Sequence, residues 1–316
     1  MEGIVTQMSE NSRYVIVTAA HNEEAFLELT IRSVLAQSLR PVRWVIVSDR
    51  STDRTDQIAA SFAAQHDFIR FIRRDHSLSR GSASKITALL GAIEQLGDCD
   101  YDFIANLDGD VSFEPDYFAW LLAQFHKDPE LGITGGVVYE PHHGVFRPRI
   151  SNTLRSVAHA GQIVRRTCYE QIGGWLALEY GGEDWYAEIR ARKFGWRVVA
   201  FAEQKLLHYR PTGGASPLLQ HRFREGKMDH SVGSHPIFEI VKCARRILEK
   251  PLLLGSLTRM GGFLSSQLTR RPWAIDGELV RFLRREQRDR ILALMYRILP
   301  FSSAEIRSSK GSEGNL

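Results

Sequence analysis

Cysteine is scarce in this chain. Its 316 residues include three, Cys99, Cys168 and Cys243, odd in number, far apart and without metal-ligand spacing. Neither a disulfide framework nor a zinc site is indicated, and a reducing compartment fits. Long apolar runs are missing too. No stretch reaches the roughly 18 uninterrupted apolar residues of a spanning helix; the nearest, Pro251 to Leu268, is broken by Arg259 and by several glycines and serines. Met1 to Arg13 has acids at Glu2 and Glu10 and no apolar core, so it does not read as a secretory signal. No internal repeat is found, and the one low-complexity stretch is the polar tail Ser302 to Leu316, expected to be disordered. Charge of one sign is lacking as well: 41 Lys and Arg against 37 Asp and Glu leave a net charge of +4, too mild to imply nucleic acid.

What is present is an ordinary globular composition arranged as alternating strands and helices. Tyr14 to Ala20 is a continuous apolar run, as expected of a strand buried on both faces. His21-Asn22-Glu23-Glu24 follows, with Asn22 a candidate N-cap, and Phe26, Leu27, Thr30, Ile31, Val34 and Leu35 then recur at helical spacing. Val42 to Val47 is a second strand, leading through Asp49 into a helix carried by Ile58, Ala59, Phe62 and Ala63. Phe68 to Ile72 is a third strand, and Ile86 to Leu96 a further helix. This β-α-β-α-β-α-β order implies a mostly parallel sheet with helices on both faces.

The fourth strand carries the chemistry. Tyr101 to Leu107 is apolar and stops at Asp108-Gly109-Asp110, which puts two acids at the carboxyl edge of the sheet, where open α/β folds bind ligands. Adjacent carboxylates repel unless a cation lies between them, and a hard divalent ion together with phosphate is the usual solution. Glu23 and Asp49, in the turns after strands one and two, are expected on the same edge. Both also fit helix capping. Further on, Pro115 to Phe125 reads as a helix, Leu131 to Tyr139 as a strand, and Glu140 to Ser156 as a mobile loop over the site. Arg166 to Ile172 is a short helix stopped by Gly173-Gly174-Trp175, Glu183-Asp184 opens another helix, and Trp196 to Phe201 is a strand.

From Tyr14 to Gly213 the chain resembles the family 2 glycosyltransferases, inverting enzymes of the GT-A fold that use nucleotide-diphosphate sugars. The resemblance rests on Val17-Thr-Ala-Ala-His-Asn-Glu-Glu24, Val47-Ser-Asp-Arg-Ser-Thr-Asp53, Leu107-Asp-Gly-Asp110, and Gly173-Gly-Trp175 leading to Glu183-Asp184. It implies nucleotide-sugar contacts at Ala20, Asn22, Glu23, Asp49, Lys85, Asp108 and Gly109. It implies a Mn²⁺ or Mg²⁺ ligand at Asp110, with His208 a candidate further ligand. Asp184 matches the family's catalytic base and Glu183 an acceptor-orienting acid. Two departures stand out: Ser48-Asp49 replaces the paired acids after strand two, and Arg50 stands where a glycine is usual. Gln220-His-Arg-Phe-Arg224 also fails the Gln-X-X-Arg-Trp pattern of processive relatives, so a single-sugar transfer to a saccharide or lipid-linked acceptor is expected.

Residues 216–301 differ in character. Arg281, Arg284, Arg285, Arg288 and Arg290 alternate with Val280, Phe282, Leu283, Ile291 and Leu292, which fits a helix on an anionic membrane surface at the inner face of a cytoplasmic membrane. It fits equally a charged appendage packed on the catalytic unit or on a second copy. The expected division is therefore a tail at 1–13, a GT-A domain at 14–215, a basic helical extension at 216–301 and a tail at 302–316. A nucleotidyltransferase is the main rival, but Ala19-Ala20-His21-Asn22-Glu23 lacks the glycine-rich phosphate loop it would need. A non-catalytic nucleotide-sugar module would keep Asp49 and lose Asp110 or Asp184, and all three are here. Nucleic acid is not expected as a partner, since no stacking-aromatic module accompanies the basic residues.

Overall fold

The computed structural model describes residues 12–75, 82–149, 153–211, 217–247 and 251–298. Strands β1 (Tyr14–Ala20), β2 (Arg43–Asp49), β3 (Ile69–Arg74) and β4 (Phe103–Leu107) lie in the order β3-β2-β1-β4, all parallel. Between them run α1 (Leu27–Leu35), α2 (Thr55–Ala63) and α3 (Ser82–Glu94). Alternation along the strands divides the core into two layers. Tyr14, Ile16, Trp44 and Ile46 pack with Leu27, Ile31 and Ala59 on one face. Val15, Val17, Val45 and Val47 pack with Ile86, Leu89 and Ala92 on the other. Both faces are dry, which is why these strands read as unbroken apolar runs.

Past β4 the sheet becomes mixed. The remaining strands are β5 (Val111–Ser112), β6 (Leu131–His142), β7 (Val145–Pro148), β8 (Gly161–Arg165) and β9 (Arg197–His208). The helices among them are α4 (Tyr117–Lys127), α5 (Arg166–Ile172) and α6 (Glu183–Lys193). β8 lies antiparallel between β4 and β6 and was not foreseen. Two corrections follow. The segment expected as a loop from Glu140 is in part a hairpin, with Tyr139 to His142 paired to Val145 to Pro148. The strand expected at Trp196 to Phe201 continues to His208, beside β6, past a register shift between Gly136 and Val137. At that shift a side chain on Gly136 would collide with the Gln204 carbonyl and the Tyr117 ring. The continuation matters because β9 ends by pairing with β5, His208 opposite Val111.

The C-terminal region is helical: α7 (Leu218–Ser231), α8 (Pro236–Arg245), α9 (Leu254–Leu268) and α10 (Gly277–Ile298). α7 and α9 cross at Gly226 and Gly262, where any side chain would overlap the other helix's backbone. Arg259 of α9, 3% exposed, pairs with Asp229, with Glu225 at 2.9 Å and with Glu239 at 2.9 Å; Lys242 reaches Asp229 at 2.7 Å. Of the readings left open for the basic segment, packing on the catalytic unit describes the first half of α10. Leu279, Val280 and Leu283 are buried with Tyr186 and Ile189, and Arg192–Glu286 and Lys193–Glu278 bridge α6 to α10 at 2.9 and 3.1 Å. No helix among the described residues is long and apolar enough to cross a membrane. The expected tail at 302–316 and nearly all of that at 1–13 lie outside the described residues.

Removing a buried cation that two buried acids and the partly buried Glu225 share should be costly. Arg259→Ala is expected to lower stability by about 3–5 kcal/mol, read as a lower urea midpoint. An unchanged midpoint would mean the acids do not depend on that guanidinium.

Candidate active site

β1, β2 and β4 run parallel, so the turns after Ala20, Asp49 and Leu107 share one rim. A cleft of ≈ 630 Å³ opens there, lined by Ala19, Ala20, His21, Glu23, Asp49, Arg50, Ser84, Lys85, Asp108, Gly109, Asp110, His208 and Arg210. Eight residues singled out from the sequence are thereby brought together: Ala20, Glu23, Asp49, Lys85, Asp108, Gly109, Asp110 and His208. Asn22 is not among them. It is exposed, with a left-handed φ of 55°, and its Oδ1 accepts from the Thr52 N–H at 2.8 Å. It clamps two neighbouring turns and is not the cap of α1, which begins after Phe26.

Asp49 does not cap a helix either. Its carboxylate accepts from Ser84 Oγ at 2.5 Å and from the Arg50 guanidinium at 3.3 Å. Arg50 adopts φ 57° and folds back onto its neighbour. The local cap is Asp53, which accepts from the Thr55 and Glu24 N–H groups at 3.0 and 3.1 Å.

Asp108 and Asp110 are held in place by cations. Lys85 Nζ donates to Asp108 Oδ1 at 2.6 Å, and Arg210 Nε to Asp110 Oδ2 at 3.0 Å. His208 Nε2 lies 3.3 Å from Asp110 Oδ1, and its Nδ1 lies 3.6 Å from Glu140. Arg210 also pairs with Glu23. Burial alone would raise the Asp108 pKa, but the charges of Lys85 and His208 lower it to about 2. Burial works against the His208 cation in turn, and Asp110 and Glu140 outweigh it, raising its pKa to about 9. Lys85 is likewise raised, Asp108 overcoming its burial. Asp108, Asp110 and His208 each offer one donor atom, and these lie within 4.8 Å of one another. One divalent ion could bridge that separation, so the residues fit a metal.

Glu183 and Asp184 open α6 and are not among the residues lining this cleft. Glu183 is buried, and its Oε2 has no hydrogen-bond partner among the described residues. Burial, then the Asp184 charge, raise its carboxyl to about 7 against the pull of Lys85. Glu183 therefore faces the Lys85–Asp108 pair electrostatically. Asp184 is half-buried; its Oδ1 accepts from the Trp185 N–H at 2.7 Å, and its charge acts on Glu183 and Glu188.

The family profile described as glycosyl transferase family 2 matches residues 15–178. The chain belongs to glycosyl transferase family 2. It is 29% identical over 118 residues to a poly-beta-1,6-N-acetyl-D-glucosamine synthase of Staphylococcus epidermidis, and 31% over the same length to that of Staphylococcus aureus. In both cases the match covers 37% of this chain and 26% of the relative. Among solved structures it is similar to the mannosyltransferase PcManGT from Pyrobaculum calidifontis with GDP-Man and Mn²⁺. That likeness has a TM-score of 0.56 at 17% identity and covers 93% and 89% of the two chains. It is also similar to GalNAc-T7 with UDP, GalNAc and Mn²⁺, with a TM-score of 0.55 at 13% identity, covering 88% and 54%. These likenesses establish the GT-A fold.

Five cleft residues of this family 2 glycosyltransferase had no site role assigned from the sequence: Ala19, His21, Arg50, Ser84 and Arg210. None carried a local signal: Arg210 lies two positions beyond His208, in the bend that follows β9. His159 also lies beneath the site, buried edge-on to Trp175; its burial, then Lys85, push it down to about 3. A lone histidine in a loop gives no warning either.

The acid next to Asp184 gives a pH test. Glu188, 1% exposed, accepts from the Val157 N–H at 2.5 Å and Ser156 Oγ at 3.1 Å, and burial followed by the Asp184 charge raises its carboxyl to about 8. The unfolded chain loses this proton near pH 4.5, the folded enzyme only near 8, so its contribution to stability falls as pH rises through that window. Glu188→Gln keeps the acceptor and removes the titration. It should stabilise the enzyme by on the order of 2–4 kcal/mol at pH 8 and have little effect near pH 4.5. Urea unfolding at the two values checks this, and a difference independent of pH would contradict it.

Proposed function

We propose that this enzyme is a metal-dependent inverting glycosyltransferase. It moves one sugar from a nucleotide-diphosphate sugar to a saccharide or lipid-linked acceptor in polysaccharide or glycoconjugate assembly. The observation that carries this reading is the convergence of Asp108, Asp110 and His208 in a cleft that also holds Asp49 and Lys85. The relatives that bind GDP-Man or UDP together with Mn²⁺ have the same fold. The Staphylococcus relatives are named as polymer synthases, but the match covers 26% of their length, and single transfer remains the proposal.

In this reading the nucleoside lies toward Asp49, whose carboxylate, already positioned by Ser84 and Arg50, accepts from the base. Ala20, Glu23 and Gly109 form the wall beside it. Gly109 lies so close to Glu23 that a Cβ there would meet the Glu23 Cγ at 3.1 Å. Lys85 and Arg210 are the cations that meet the diphosphate, Arg210 leaving its carboxylate partners as the donor arrives. A divalent ion held by Asp108, Asp110 and His208 would neutralise the charge developing on the leaving diphosphate. A mixed set of carboxylate oxygens and one imidazole nitrogen suits Mn²⁺ better than the oxygen-seeking Mg²⁺. Asp184 takes the acceptor hydroxyl's proton through Oδ2, the oxygen that Trp185 leaves unengaged, while the acceptor attacks the anomeric carbon from the face opposite the leaving group. Glu183, near half-protonated at neutral pH, orients that acceptor. The transfer machinery lies in residues 14–215, and residues 216–301 bring it to the inner face of the membrane.

Donor turnover with Mn²⁺ tests the reading. Asp110→Ala and Asp184→Asn should each lower kcat by about 10²-fold or more, and chelation should abolish what remains. Full turnover in Asp110→Ala, or in both Asp184→Asn and Glu183→Gln, would remove the mechanism. Loss in Glu183→Gln with activity kept in Asp184→Asn would exchange the two acids' roles.

A further inference from the structure

α7, α8 and α9 are inside out. A helix on a water-soluble domain turns its apolar stripe inward, but α8 buries Glu239 and Cys243 and leaves Ile237 and Ile240 more than half exposed, at 55% and 56%. Ile247, a further two turns along, continues the same side. α9 buries Gly255, Arg259, Gly262 and Ser266 with one apolar side chain, Phe263, and exposes Leu254, Leu257, Leu264 and Leu268. Between the two faces the Leu253 N–H donates to the Ile247 carbonyl at 2.8 Å, and Leu252 is 62% exposed. The orientation is enforced, because rotating either helix to hide these side chains would expose or unpair Arg259, Asp229 and Glu239.

Beside this face runs a row of like charge. Arg281, Arg284, Arg285 and Arg288 stand at i, i+3, i+4 and i+7 on α10, a spacing at which equal charges repel. Together with Ile237 and Leu292 they line a groove of ≈ 540 Å³ between α8 and α10. Arg284 donates to the Gly233 carbonyl at 2.8 Å and lies over Trp273. Among the described residues no carboxylate lies within ion-pair distance of Arg281 or Arg285.

We infer that this face docks on an anionic phospholipid surface, the exposed isoleucines of α8 and leucines of α9 entering the boundary of the acyl chains while the α10 arginines meet the phosphates. An apolar patch edged by a row of arginines, of which Arg288 has Asp289 at 3.7 Å while Arg281 and Arg285 have no carboxylate partner among the described residues, matches that occupant in both polarity and charge. A second copy matches less well, since a twofold contact over the groove would bring the two arginine rows together. The inference deepens the membrane-peripheral part of the proposed function and does not depend on the transfer chemistry.

Co-sedimentation of the full chain with vesicles of phosphatidylcholine, with and without phosphatidylglycerol, tests it. Wild type should bind the mixed vesicles and little of the neutral ones. Arg281→Glu with Arg285→Glu should weaken binding by about 10-fold or more, and Ile240→Asp should weaken it at unchanged net positive charge on α10. Donor turnover in solution, kept by all these variants, reports that they are folded and tests the transferase reading separately. The inference fails if wild type does not bind, if it binds both vesicle types equally, or if it is a dimer in solution that Ile240→Asp disperses.

Discussion

Two carboxylates at the end of one strand cannot remain charged side by side in a half-buried cleft without cations, and the architecture around the cleft meets that constraint. Asp108 takes Lys85 from α3, and Asp110 takes His208 and Arg210 from the end of β9. The sheet's change from parallel to mixed is what delivers the second pair. β8 intervenes between β4 and β6, β9 runs beside β6, and the short β5–β9 contact then returns the chain to the Asp-Gly-Asp turn. The arrangement is a set of paired charges that a nucleotide diphosphate and a divalent ion can replace one for one, with anions meeting Lys85 and Arg210 and a cation meeting the acids.

A different ion-pair cluster governs the C-terminal helices. Arg259 binds three acids in the interior of α7, α8 and α9, and Gly226 and Gly262 let the helices come close enough for it to do so. Polar groups that are paired inside force apolar ones outside, so these helices present leucine and isoleucine to their surroundings. α10 does the reverse over its first half, burying Leu279, Val280 and Leu283 on the catalytic unit. The helix whose sequence looked most like a surface binder is thus anchored over its first half by its apolar side, and its second half shares apolar exposure, at Leu292, Met295 and Tyr296, with its neighbours.

Legibility in the sequence varied with how local each signal was. β1, β2 and β4 were readable because strands covered on both faces need unbroken apolar residues, and Asp108-Gly109-Asp110 was readable because it ends such a run. β8 was not: Gly161-Gln162-Ile163-Val164-Arg165 is short and carries a buried glutamine, whose Oε1 accepts from Trp175 at 2.9 Å, so its composition does not mark it. Asn22 had the right residue type for a cap, yet the turn it occupies puts its amide against Thr52. Arg50 read only as a departure from the usual glycine, and it proves to adopt a left-handed φ itself while its guanidinium donates to Asp49.

By itself the sequence determined the alternation of strands and helices, the family, and the acids at the strand ends, because periodicity and strand termination are properties of neighbouring residues. Tertiary structure alone decided that Arg210 shares Asp110 with His208, that Glu183 is buried without a hydrogen-bond partner for its Oε2 among the described residues, and which helices leave their apolar sides uncovered. Arg210 and Asp110 are 100 residues apart. Contacts at that distance depend on how strands pair and on which charges find partners in the interior, and no local pattern of residues records either.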